Sequence, residues 1–286
     1  MADLGAILTA VVTPFDAQGR VDEDGFVRLL HHLADNGSDG AVVAGTTGEA
    51  STLDDEEHIA LIALAVEQAP DDFTITAGTG SNDTRHAVKL TEKATEAGAD
   101  ATLSVTPYYN RPNRRGIIRH YEEVAKATDK PILVYNIPVR TGTDMPNDLL
   151  AELAQIDGIA GVKQANNDNL ALVDGLELYA GNDEIFGKVL DLGGKGGILT
   201  ASHIVGPEIR RMLLEPENRD EIQENLLHVF ETLSIAPAAI SLKAALDLMG
   251  LPGGVPRLPY VQADDLETAQ IRAMLEARSL VGVAAS

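Results

Sequence analysis

Cysteine and tryptophan are both missing from this chain of 286 residues, and only 4% of it is aromatic. Without cysteine there is no disulfide framework, no thiolate metal site and no sulfur nucleophile. No apolar run reaches the ~18 residues that a membrane-spanning helix needs, and the opening residues Met-Ala-Asp-Leu-Gly-Ala-Ile-Leu carry no basic leader. A cytoplasmic location is the default expectation. Cations are scarce as well: 22 Lys+Arg stand against 44 Asp+Glu, a formal net charge of −22. Such a field repels nucleic acid and anionic membranes, so neither is expected as a partner. Acidity of this degree is also found in proteins that work at high salt, which is a hypothesis about habitat. It imposes one chemical requirement: a site for an anion must carry its own local cations.

What is present is ample apolar material, 44% of the chain, arranged with a clear rhythm. Short Val/Ile/Ala runs alternate with helical patterns. Strands are expected at 7–12, 41–44, 74–77, 101–105, 132–136, 159–163, 176–180 and 197–200. Helical stretches fall at 24–36, from Asp54 onward, up to about Ala97, near 116–128, and at 149–153, 170–173, 184–192 and 207–214. Phe26, Leu29, Leu30 and Leu33 share one helical face, and Asp54 with Glu57 three residues on has the form of a capping box. Eight strand–helix units predict a parallel sheet closed into an α/β (β/α)8 TIM barrel. From about Glu217 only helical patterns remain. The expected organisation is a barrel over 1–216 and an appended helical segment over 217–286, packed on it.

In such a barrel chemistry sits at the C-terminal ends of the strands, and the polar clusters fall there. Gly45-Thr-Thr-Gly-Glu follows the second strand, Thr106-Pro-Tyr-Tyr-Asn the fourth, Tyr135-Asn-Ile-Pro-Val-Arg-Thr-Gly closes the fifth and Gly181-Asn-Asp-Glu follows the seventh. Each alone is a weak signal: a Thr-Thr pair between glycines is more often plain turn chemistry, and Tyr108-Tyr109 more often packing or interface. Gly193-Gly-Lys-Gly-Gly is not a phosphate loop, because Lys195 is followed by Gly. Asp54-Asp-Glu-Glu-His58 can be read as metal-binding, but helix capping explains it better, and the seven histidines show no metal-ligand spacing.

Lys163 stands apart. It is one of eight lysines and closes the apolar run Ile159-Ala-Gly-Val. Desolvation there disfavours the ammonium, and a neutral amine can attack a ketone to form a Schiff base. Bringing a lysine from about 10.4 to roughly 7.5 needs about 4 kcal/mol. The plain alternative is a lysine that snorkels from a strand end to water.

Taken together, Gly45-Thr-Thr-Gly-Glu, Tyr108-Tyr-Asn-Arg-Pro, Tyr135-Asn-Ile-Pro-Val-Arg-Thr-Gly and Gly161-Val-Lys, in that order and each at a strand end, resemble the dihydrodipicolinate synthase family. That family lies within the pyruvate-dependent class I aldolases that include N-acetylneuraminate lyase, and the resemblance covers essentially the whole chain. It implies that Lys163 forms the imine with pyruvate and that Tyr135 is the proton-transferring phenol. Thr46 would link Tyr135 to Tyr109, which reaches in from a neighbouring subunit. Thr47 would hold the pyruvate carboxylate, Arg140 the carboxylate of the incoming aldehyde, and Ile198 would bring a backbone carbonyl near the lysine. The acceptor implied by Arg140 is aspartate β-semialdehyde, which places the reaction in lysine and diaminopimelate biosynthesis. No cofactor and no metal are implied beyond pyruvate held covalently. The assembly implied is a homotetramer, a dimer of tight dimers. Two other functions remain open at this stage: cleavage of a 2-keto-3-deoxy sugar acid by the same lysine and tyrosine, and a catalytically silent barrel that binds a keto acid.

The resemblance also carries a regulatory expectation. Lysine-sensitive members place histidines after the Thr-Thr-Gly-Glu turn and a glutamate on the third helix. Here Tyr108, Asn82 and His58 match, but Asp55 and His86 occupy two of those positions, so feedback by L-lysine is expected to be weak or absent.

Overall fold

Apolar residues crowd both faces of each short strand because one face fills a barrel and the other meets surrounding helices. The structure, a computed structural model, describes residues 3–282. Eight parallel strands close in chain order: β1 (Ile7–Ala10), β2 (Gly40–Val43), β3 (Thr74–Gly78), β4 (Ala101–Val105), β5 (Ile132–Asn136), β6 (Ile159–Gln164), β7 (Glu177–Ala180) and β8 (Gly196–Leu199). Alternation along β5 sorts its side chains. Leu133 and Tyr135 join Leu8, Leu103 and Tyr179 inside the barrel, while Ile132 and Val134 pack outward in the larger core. All eight expected strands are present, with ends moved by a residue or two. The first stops at Ala10, although the Val11 N–H still donates to the Val42 carbonyl.

Around the barrel run α1 (Glu23–Asp35), α2 (Asp55–Gln68), α3 (Thr84–Glu96), α4 (Arg114–Ala125), the single turn α5 (Pro138–Thr141), α6 (Asn147–Leu153), α7 (Phe186–Asp191) and α8 (Ser202–Leu214). The expected face of α1 is buried at Phe26, Leu29, Leu30 and Leu33. Asp54 caps α2, with Glu57 returning the bond in a full capping box. No single helix among the described residues is long and apolar enough to cross a membrane.

The expected helical stretch at 170–173 is not a helix. Only a 3-10 turn, Asn167–Asn169, and a one-residue bridge between Val173 and Leu176 separate β6 from β7. Polar side chains compete there for the backbone: Asn166 Oδ1 accepts from the Asp168 N–H, and Asn169 donates to the Met145 carbonyl. Short side chains that satisfy backbone groups locally remove the incentive to form a helix. Val173 and Leu176 take over the covering of the strands.

After the barrel come α9 (Arg219–Leu233), α10 (Ala238–Met249) and α11 (Asp265–Ala277). Leu226, Phe230, Leu242 and Leu246 belong to the same buried cluster as the outer faces of the strands, so these helices share one core with the barrel. Residues 283–286 of the segment expected over 217–286 lie outside the described residues.

Candidate active site

Tyr135 and Lys163 stand opposite each other on β5 and β6. Gly161 prepares the place: a Cβ there would lie 2.7 Å from the Glu177 carbonyl oxygen and 2.9 Å from Leu133 Cδ2. With only hydrogen at that position, Leu133 fills the layer beneath the amine. Lys163 is 5% exposed, and its Nζ sits 4.4 Å from the centroid of the Tyr135 ring. The amine ends inside the barrel mouth and does not snorkel to the outer surface. Burial brings it down to about 8; the Asp183 carboxylate opposes that shift and the Arg140 guanidinium adds to it. At that value roughly one amine in ten is neutral at pH 7 and half at pH 8. Burial pushes the Tyr135 phenol up to about 12, with Arg140 pulling the other way. Tyr135 therefore keeps its proton and remains a neutral donor beside the amine.

The turn after β2 supplies a different kind of chemistry. The chain enters it with Ala44 at a φ of 53° and leaves with Glu49 at 56°, both left-handed. The Glu49 and Ala50 N–H groups fold back onto the Thr46 and Gly45 carbonyls, while the Thr13 hydroxyl donates to the Gly48 carbonyl. Among the described residues no protein acceptor takes the N–H groups of Thr46, Thr47 or Gly48. Successive amides without protein acceptors can form a concavity suited to an anion, and Thr46 and Thr47 line the same cavity as Lys163. Thr47 is buried and Thr46 exposed, and no hydrogen bond joins Thr46 to the Tyr135 phenol within the single chain.

Both features open into one cavity of about 720 Å³, lined by Thr46, Thr47, Tyr135, Arg140, Lys163 and Asp183 among others. Arg140 lies on α5, whose start is set by Pro138, and it is exposed. Among the described residues no carboxylate pairs with its guanidinium. In a chain of net charge −22, an arginine left without an acidic partner at a cavity mouth is an unspent anion-binding group.

Two expected residues are not brought to this cavity by their own chain. Tyr109 is 89% exposed and has a φ of 72°, while its neighbour Tyr108 lines the cavity. Ile198 is fully buried in the barrel interior beside Tyr135 and Tyr179. The acidic run at the start of α2 is committed elsewhere: Asp54 caps the helix, Glu57 holds Arg257, and His58 Nε2 bonds to the Gly78 carbonyl.

Asp183 is the residue that sequence reasoning passed over. Gly181-Asn-Asp-Glu was visible as a cluster after β7, but nothing in it marks which acid faces the lysine. The Asp183 carboxylate accepts from the Thr200 N–H at 3.0 Å, the Ala201 N–H at 3.1 Å and the Thr200 hydroxyl at 2.5 Å. Burial raises its pKa, and those donors oppose the rise by favouring the ionised form. It favours the ammonium of Lys163, so Asp183→Asn should move the titration of that amine to lower pH than in the wild type. Competitive labelling of Lys163 with trace acetic anhydride across pH 6–10 reads this; an unchanged or higher midpoint contradicts it.

The model of the dihydrodipicolinate synthetase family matches residues 3–278. The chain is 40% identical over 290 residues to the 4-hydroxy-tetrahydrodipicolinate synthase of Heliobacterium modesticaldum, covering 97% of each. It is 38% identical over 286 residues to 4-hydroxy-tetrahydrodipicolinate synthase 2 of Halalkalibacterium halodurans, covering 96% of this chain and 98% of the relative. A solved dihydrodipicolinate synthase from Cyanidioschyzon merolae, with lysine bound, superposes with a TM-score of 0.93 at 37% identity, covering 98% of this chain and 100% of that one. A match that runs through barrel and C-terminal helices alike, on a closed barrel with a buried lysine at its mouth, means that this chain belongs to the dihydrodipicolinate synthetase family.

Proposed function

We propose that this enzyme condenses pyruvate with aspartate β-semialdehyde to give 4-hydroxy-tetrahydrodipicolinate, through an imine on Lys163. The observation that carries the reading is the Lys163 amine, buried over the Tyr135 ring and titrating near 8 in a cavity that also holds unpaired amides and an unpaired arginine. The neutral amine adds to the ketone carbon of pyruvate. Tyr135 gives and takes back the proton as the carbinolamine hydroxyl leaves as water, a transfer that puts no fixed charge beside the lysine. The protonated imine then draws electrons from the adjacent methyl group, which loses a proton and becomes an enamine nucleophile. Its carbon adds to the aldehyde. The amino group of the acceptor closes the ring at the imine carbon and releases Lys163.

The anions set the remaining roles. The Thr46–Gly48 amides and the Thr47 hydroxyl receive the pyruvate carboxylate. Arg140 receives that of the semialdehyde, because a guanidinium offers a carboxylate two parallel donors. The Ile198 backbone carbonyl, on β8, is assigned to the surroundings of the amine on the strength of the family resemblance. Tyr109, turned out of its own cavity, serves the site of a second copy: Tyr109 of the partner subunit completes the relay through Thr46 in a homotetramer of two tight dimers. No cofactor takes part beyond pyruvate held as the imine.

Condensation measured against cleavage of a 2-keto-3-deoxy sugar acid tests the substrate, and Arg140→Ala tests its basis. Charge-assisted hydrogen bonds contribute roughly 1.5–3 kcal/mol. The variant should therefore lose about 10- to 100-fold in kcat/KM for the semialdehyde while still forming the pyruvate imine. Condensation untouched by Arg140→Ala, or preferred cleavage of the sugar acid by the wild type, contradicts the assignment.

Regulation follows from the far end of the same cavity, where Asp55, His58 and His86 contribute to its lining. The Cyanidioschyzon relative has lysine bound, but here the Asp55 carboxylate is already engaged. It lies 2.8 Å from His86 Nε2 and 2.6 Å from Lys89 Nζ. The Lys89 and His86 hydrogen bonds, Lys89 first, hold it down at about 2. A ligand ammonium would have to displace Lys89 and enter beside a second basic ring. L-Lysine at millimolar concentration should inhibit weakly or not at all with pyruvate saturating; a submillimolar inhibition constant contradicts this.

A further inference from the structure

A second buried lysine lies outside the reaction just described. Lys243, on α10, is 2% exposed, and its Nζ donates to Glu49 Oε1 at 2.5 Å and to the Val255 carbonyl at 3.0 Å. Glu49 is the last residue of the Gly45-Thr-Thr-Gly-Glu turn and is 1% exposed. Its other oxygen accepts from the Arg257 backbone N–H at 2.9 Å. The Arg257 side chain donates to both carboxylate oxygens of Glu57, to the Gly19 carbonyl and to the Thr52 carbonyl. Lys243 and Arg257 also lie against one ring, with Nζ 4.4 Å and the guanidinium carbon 4.1 Å from the centroid of Phe15. Glu49, Lys243 and Arg257 do not line the cavity, whereas Ala238 and Ala239 at the start of α10 do.

A buried ion pair rarely adds net stability over a well-packed apolar pair, yet removing one partner leaves an uncompensated charge. Its use is to fix geometry. Three residues before Glu49 begin the unpaired amides of Thr46, Thr47 and Gly48. Glu49 itself is held at a left-handed φ of 56°, a backbone state that a glutamate adopts only under constraint. The chain between is too short to absorb a displacement of the Glu49 carboxylate. Lys243 also neutralises a buried negative charge close to the place where a carboxylate has to bind.

We propose that Lys243, Glu49 and Arg257 form a positioning clamp that sets the keto-acid affinity of the Thr46–Gly48 amides, and so couples the C-terminal helices to the substrate site. The proposal rests on the assignment of those amides to the pyruvate carboxylate. Removing Lys243 alone leaves the Glu49 carboxylate two ways out: it takes up a proton or it turns away from α10. Either moves the turn. Removing both charges while keeping an acceptor for the Arg257 N–H leaves the turn in place.

The test is a cycle of Lys243→Met, Glu49→Gln/Lys243→Met and wild type, read by the dissociation constant for pyruvate and by KM for the semialdehyde, with thermal unfolding followed in parallel. Lys243→Met should weaken pyruvate binding at least tenfold and leave the semialdehyde KM within about threefold. The double variant should return to within about threefold of wild type, the non-additivity expected of directly coupled residues. A purely structural pair would lower the unfolding temperature and leave pyruvate affinity alone, which overturns the proposal. Should Lys243→Met fail to fold, Glu49→Asp decides on the same readout: one methylene less must draw the turn toward α10 and weaken pyruvate binding about tenfold, and unchanged affinity overturns the clamp. Wild-type protein that binds no pyruvate removes the functional assignment and the clamp with it, whereas normal binding by both wild type and variants removes the clamp alone.

Discussion

The proposed chemistry depends on keeping one amine out of water without giving it a salt bridge. Lys163 ends a strand inside a closed barrel, over an aromatic face and above a layer that the missing side chain of Gly161 allows Leu133 to fill. Burial alone would push the amine further toward neutrality. The Asp183 carboxylate holds it near 8, where protonated and neutral forms coexist close to neutral pH. A nucleophile that must add to a ketone and then leave needs a pKa near the working pH. Desolvation and a distant anion together supply that balance, whereas a direct ion pair would freeze the ammonium.

The second constraint is charge. A chain with twice as many acids as bases carries a net negative field that repels pyruvate and its acceptor before either arrives. The fold answers locally. It withholds protein acceptors from the Thr46–Gly48 amides, withholds a carboxylate from Arg140, and neutralises the buried Glu49 with Lys243. All three bear on the turns that follow the strands, the first two from within them and Lys243 from α10, at the end of the barrel where chemistry is placed.

Much of this was legible in the sequence, for identifiable reasons. Strands buried on both faces appear as short apolar runs, and Lys163 was conspicuous because it closes one of them. The Arg140 loop and the Thr-Thr turn stood out by position. What escaped was set by contacts across space. Asp183 looks like any acid after a strand until the barrel closes and sets its carboxylate on Thr200 and Ala201 after β8, where its charge is felt by Lys163. Nothing in Ser241-Leu-Lys-Ala-Ala marks its lysine, and only the fold brings Lys243 to Glu49, 194 residues away. The stretch at 170–173 has apolar spacing that suits a helix, but the Asn-rich turn before it captures the backbone first. Tyr109 could be placed in a partner's site only by family resemblance, since nothing within one chain says what an exposed tyrosine meets.

The central claim, that Lys163 and no other lysine is the carbonyl-reactive amine, is tested most directly by borohydride reduction in the presence of pyruvate, followed by intact mass and peptide mapping. The account predicts one reduced pyruvate per chain, carried on Lys163, with the equally buried but ion-paired Lys243 unmodified. Pyruvate attached at another lysine, or none attached in protein that still catalyses condensation, would contradict it.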